Sequence, residues 1–195
     1  STIQAASLVQ SAGTLTTLTD NVTTTAAAGL NLTATDIRLD GLTINTNTGN
    51  GVVRFNGATR LDGASTITRG SGAVTFESTL NSQASEANAL TIDGAGGGNI
   101  TFTGAVGSAV NGALGAMLIS TADTVLASST IQAASLVQSA GTGRTTLTDN
   151  VTTTAAAGVN LTTANISLDG LTIDTSAGNG TVRFAGATRL DDATT

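Results

Sequence analysis

The chain has 195 residues, 39% of them hydrophobic and 10% charged, with a net charge of −6, 24 glycines and no Pro, Cys, His, Trp or Tyr. Its seven cations are all Arg, and an acidic chain without clustered cations does not displace counterions from a phosphate backbone, which excludes nucleic acid as a partner. The missing cysteine excludes a disulfide framework and a thiolate metal site. Abundant Val, Ile and Thr are β-branched, fit a pleated surface and argue against disorder, so an all-β protein is expected.

The segment STIQAASLVQSAGT at residues 1–14 returns letter for letter at residues 129–142. After it, Gly143-Arg144 replaces Leu15, and the offset between copies changes from 128 to 129. The chain therefore reads as one continuous segment, 1–195, made of a first long tandem repeat, 1–128, and the first half of a second, 129–195. Between copies Leu30 becomes Val159, Asp36 becomes Asn165, Arg38 becomes Ser167, Val52 becomes Thr181 and Asn56 becomes Ala185. Ile37, Leu39, Leu42, Ile44, Val53, Phe55 and Leu61 return unchanged as Ile166, Leu168, Leu171, Ile173, Val182, Phe184 and Leu190. Fixed apolar residues two apart with changeable ones between them are the mark of a half-buried strand.

In chain order, a shorter module recurs inside the long repeat. Leu42-Thr-Ile44 is followed by NTNTGNG and Val53-Arg-Phe55; Ile67 by TRGSGA and Val74-Thr-Phe76; Leu90-Thr-Ile92 by DGAGGGN and Ile100-Thr-Phe102. Successive Phe residues lie 21 and 26 apart. The next stretch, 105–119, is too short to span a bilayer and is broken by Gly107, Gly112 and Gly115, so it reads as turns and buried strands. Residues 121–140 are rich in Ala, but Thr124, Val125, Thr130 and Ile131 favour strand over helix.

A single strand-turn-strand module cannot bury its apolar side, whereas stacked coils of 20–26 residues place each Val, Ile and Phe over its counterpart. The expected architecture is a parallel β-solenoid. With about six coils to the long repeat, each repeat would advance the stack by roughly 29 Å. The competing architecture, a string of immunoglobulin-like sandwiches, normally anchors its core on Trp or Tyr, and this chain has neither. The expected core is Ile37, Leu39, Leu42, Ile44, Val53, Phe55, Leu61, Val74, Phe76, Leu90, Ile92, Ile100 and Phe102, continued by Ile166, Leu168, Leu171, Ile173, Val182, Phe184 and Leu190.

The modules LTIDGAGGGNITFTGAVG (90–107), GNGTVRFAGATRL (178–190) and TTLTDNVTTTAAAG (16–29) resemble the repeats of giant bacterial surface proteins of the filamentous-haemagglutinin-like, autotransporter-adhesin-like kind. The resemblance covers nearly the whole chain. It implies a right-handed parallel β-helix, exported and displayed at the cell surface as an adhesin, stalk or filament.

No reaction chemistry is expected. Without His, Cys or Lys the usual general bases and nucleophile partners are missing. Asp191 and Asp192 are adjacent, so on a strand they would point to opposite sides, and Asp40, Asp62, Asp93 and Asp169 read as turn residues. Gly96-Gly97-Gly98-Asn99 has no following Asp for a calcium repeat and no Lys-Ser/Thr for a phosphate loop. No cofactor and no metal is expected. Thr-x-Thr pairs at 17/19, 23/25, 66/68, 101/103 and 152/154 would make an ice-binding ladder only if they recurred at the same place on every coil. The sequons at Asn21, Asn31, Asn99, Asn150, Asn160 and Asn165 arise readily by chance in a Thr-rich chain, Asn at a coil corner also has a structural role, and no glycosylation is expected from them.

The expected function is that of a structural segment of an extracellular fibre or adhesin stalk, associating with itself end to end or laterally. A module recognising surface glycans or a protein receptor is the alternative, and an ice-binding solenoid the third. No transmembrane segment is expected.

Overall fold

The computed structural model describes residues 1–195. Its twenty strands form one parallel sheet winding through about nine turns, a β-solenoid, as the module spacing predicts. Each turn lays down up to three short strands, and each strand bonds to its counterparts in the turns on either side. Three stacks result, closing around a common interior.

The registers show how like is placed over like. The first stack carries Ile3, Val22, Ile44, Ile67, Ile92, Ile119, Gln138, Leu161 and Phe184, each opposite the next. The second carries Gln10, Leu32, Phe55, Phe76, Phe102, Ala127, Leu147, Leu168 and Leu190. The third carries Thr16, Ile37, Thr59, Leu80, Val106, Ile131, Val151 and Ile173. Alternation sets the inward face of each strand. In Leu30–Asp40 the residues Leu30, Leu32 and Ala34 are buried, the exposed pair Thr35-Asp36 breaks the pattern, and Ile37 and Leu39 are buried again. That break is where the chain bends from the second stack to the third, and the pairing register shifts there.

The interior is a single cluster of 37 buried apolar residues. Phe55, Phe76 and Phe102 stack with ring centroids 5.0 and 5.4 Å apart, a spacing imposed by the strand separation of ~4.8 Å. Of the expected core, every residue from Ile37 to Phe102, and Ile166, Leu168 and Leu171, is buried. Ile173 and Phe184 are half-buried, and Val182 and Leu190 are corrections, exposed at 48% and 59%. Both belong to the last turn of the 195 residues, opposite the buried Val159 and Leu168.

Coil length, read down the first stack, runs from 19 residues between Ile3 and Val22 to 27 between Ile92 and Ile119, slightly wider than the Phe spacing implied. The corners repeat in detail. Asn47–Gly49 and Ser176–Gly178 are matching 3-10 turns, each followed by a left-handed Asn, Asn50 and Asn179. Gly29 and Gly158 are at φ +57° and +56°, and a Cβ on either would fall about 2 Å from the carbonyl oxygen of Val52 or Thr181 on the next coil. Only glycine fits such a corner.

The 121–140 stretch forms strands Val125–Ala127 and Ile131–Gln138, as its β-branched residues predict. Residues 105–119 give an isolated bridge at Val106 and the strand Leu114–Ile119. The copy junction therefore falls inside the stack: Leu114–Ile119 pairs with Ile131–Gln138 across it.

Candidate functional site

Surface chemistry in a solenoid is read down columns, because an outward side chain meets its neighbours on the coils before and after. On the second stack Asn31, Arg54 and Thr75 are aligned, and Arg54 donates to Glu77 at 2.9 Å and to Asn31 at 3.3 Å. On the third stack Thr17, Arg38, Arg60 and Asn81 are aligned. Arg60 is paired with Asp62 through Nε and, at 3.0 Å, through Nη2. The hydrogen bonds that Arg60 donates to Asp62, with the charge of that carboxylate adding to them, hold the guanidinium above its ordinary range against the opposing effect of burial. Arg38 takes part in none of the four ion pairs.

Beside this Arg column the corners of two successive coils are enlarged. Residues 83–89 and 107–113 protrude, with Ser85, Ala87 and Asn111 in the left-handed region at φ +69°, +52° and +57°. Ser85 N–H donates to the Asn111 carbonyl at 2.8 Å, and Ala109 N–H to Asn81 Oδ1 at 3.0 Å. Val110 at the tip is 87% exposed. Between this lip and the Arg column lies a groove of about 310 Å³, lined by Asp36, Arg38, Arg60, Asn81, Ala109 and Val110 among others. Asp36, Asp62 and Glu86 lie close enough to act on Arg60, so the groove is mixed in charge and suits a neutral, hydroxyl-rich ligand better than a bare anion.

Sequence reasoning passed over Arg69. It follows Ser65 and Ile67 at two-residue spacing, which turns it inward, and it is fully buried. Nη1 donates to the Gly70 and Gly72 carbonyls, Nη2 reaches Thr121 O at 3.0 Å two coils away, and Nε has no partner. Burial pushes its pKa down. The glycine-rich loop at 94–98 makes the room, because a Cβ on Gly98 would lie 2.3 Å from Arg69 Nη1. This loop is a wrapping for a buried cation.

The remaining candidates have structural surroundings. Asp40 and Asp169 precede Gly41 and Gly170, both at φ +60°. Asp62 and Asp93 are corrections: Asp62 lies within the strand Val53–Gly63, and Asp93 within the strand Leu90–Gly94, opposite Thr68. Asp191 accepts from Ser167 Oγ at 2.6 Å and pairs with Arg189, outside the strand Val182–Leu190. Asn21 and Asn150 each accept a backbone N–H from the next coil at 2.8 Å, from Thr43 and Thr172. Thr66 and Thr68 stand between Thr43/Asn45 and Thr91/Asp93, so the Thr-x-Thr pair is not repeated on adjoining coils. No group of three or more His, Cys, Asp or Glu side chains is gathered that could hold a metal, and no helix is long and apolar enough to cross a membrane.

Comparison with protein-family models, curated proteins and solved structures finds no match to this chain.

Proposed function

We propose that this chain is a segment of an extracellular fibre or adhesin stalk, exported and displayed at a bacterial surface in the manner of the filamentous-haemagglutinin-like proteins its modules resemble. The observation that carries the reading is the unbroken passage of the stack through the copy junction, where residues 114–119 and 125–127 pair directly with 131–138 and 145–147. Tandem copies thus add length to one rod, and the rod is stiffened by backbone bonds running along its axis. Self-association of such rods, end to end or laterally, belongs to the same reading, since any uncapped coil offers unpaired strand groups to another. Electron microscopy of the full-length protein is expected to show thin rods lengthening with repeat number; globular particles would overturn the reading.

A second reading, glycan recognition, is favoured by the groove between the Arg38/Arg60 column and the Val110 lip. A glycan array probed with this chain is expected to give binding that Arg38→Ala removes; no binding to any glycan leaves the passive stalk. The ice-binding reading draws no support from the short threonine columns. Thermal hysteresis at high protein concentration would revive it.

A further inference from the structure

The long repeat does not contain a whole number of coils. Ile3 opens the first stack, whereas its twin Ile131 lies in the third, between Val106 and Val151. Gln10 belongs to the second stack and its twin Gln138 to the first, between Ile119 and Leu161. Leu18 pairs with Leu39 in the third stack, and its twin Leu147 lies in the second, between Ala127 and Leu168. Followed stack by stack along the chain, each twin lies seventeen strand positions further on, which is five turns and two thirds, not six.

The local structure tolerates this move. The corner built by Thr46, Asn50 and Gly51 joins the first stack to the second, and its twin with Thr175, Asn179 and Gly180 joins the third to the first. Both keep the 3-10 turn, the left-handed Asn and the Thr Oγ1 bond to the glycine carbonyl, at 2.7 and 2.8 Å. The bond from Thr16 Oγ1 to Gln10 likewise survives as Thr145 to Gln138. Each recurring segment is thus held on two different sides of the solenoid with its local bonds kept.

We propose that tandem copies of this repeat carry each surface segment around the fibre, one third of a turn per copy, so that every outward patch is displayed on all three sides. This rests on the stalk reading above. Each copy then advances by roughly 27 Å, and a segment regains its original side after three copies, seventeen coils or roughly 82 Å. The arrangement fits a partner that binds one repeat from the side, many times over and from any direction. A flat, extended partner such as a crystal face would meet every third copy only. It also spreads the one-sided bulk of the enlarged corners evenly about the axis, so bending from one copy is cancelled by the next two.

The chain has no cysteine, so paired Cys substitutions in the 195-residue protein read the side directly. Val137 is the twin of the outward residue Val9, and it stands beside Leu118 on the first stack. A whole-number repeat would keep it on the second stack beside Leu126. Neighbouring strands, ~4.8 Å apart, are within disulfide reach. Under mild oxidation Leu118→Cys with Val137→Cys is expected to cross-link nearly completely, as is the control Val9→Cys with Asn31→Cys, while Leu126→Cys with Val137→Cys stays reduced. Cross-linking of 126 with 137, alone or together with 118 and 137, would overturn the rotation and leave the stack standing. A linked control with neither Val137 pair linked would show that the stack does not continue through the copy junction, and the stalk reading would fall with it.

Discussion

Phe55 and Phe184 are the same residue of the repeat, yet Phe55 is inaccessible and Phe184 is half-buried. Val53 and Leu61 are likewise sealed where Val182 and Leu190 are open. Neighbouring residues in the chain hardly differ between the copies; what differs is the coil above. Phe55 sits under Phe76, on which Phe102 rests in turn, while Phe184 lies in the last turn of the 195 residues and sits on Leu161. Burial in a solenoid is a property of the stack, and a residue acquires its energetic weight only when the next coil is laid down.

Twin substitutions can break or sharpen this comparison. The largest effect is expected at the ring stack: in the 195-residue chain Phe55→Ala should cost about 3–5 kcal/mol through lost contact and cavity formation, and Phe184→Ala less than half of that. Urea titration followed by circular dichroism compares the two, and equal losses would refute the stack argument. Next come Gly29→Ala and Gly158→Ala, where the added Cβ meets a carbonyl oxygen in a left-handed corner; a cost on the order of 1–3 kcal/mol is expected for each. Here the twins should be closely matched, because both corners have a coil against them.

Arg69→Met removes an unpaired buried cation while keeping most of its bulk, and the change in stability should be small, within about 1–2 kcal/mol and of either sign. Gly98→Ala, which pushes on the same guanidinium, should instead destabilise by about 1–3 kcal/mol. Thermal unfolding of the two variants separates the loop's wrapping role from the cation itself.

The smallest effect concerns Asn45 and its twin Asp174, which accept the same turn hydrogen bond, from the Asn47 and Ser176 amides. Hydrogen bonds from the Ser176 side chain and backbone hold the Asp174 carboxyl below its ordinary range. A carboxyl depressed on folding stabilises the folded state above its unfolded pKa, and that contribution disappears as pH falls through the folded value. The Ser176 amide resonance should therefore titrate below the usual carboxylate range, and the Asn47 amide should not. Identical titration of both would refute the assignment.

Much of this architecture was legible from the residues themselves. Unchanged apolar positions two apart in Ile37-Arg-Leu39 and Val53-Arg-Phe55 specify strands because side chains alternate, and the Phe spacing specifies stacking because each ring needs a counterpart. The same alternation through Ser65 and Ile67 put Arg69 inside, against the ordinary expectation for a cation, and the glycines that accommodate it lie a full coil away in the chain. The groove beside Arg38 was illegible, since its walls come from segments some 20 to 70 residues apart that only coiling brings together.

The sequence by itself determined strands, corners and parallel stacking, all of which follow from local alternation, left-handed glycines and the repetition of like residues. Which side of the solenoid each copy occupies was decided only by the tertiary structure. Side depends on the running total of strand positions, and corners ranging from tight turns to the enlarged loops before Leu90 and Leu114 change coil length without changing that count. A repeat of 128 residues thus closes on five and two-thirds turns, because hydrogen bonding between coils fixes register by strand and not by residue number.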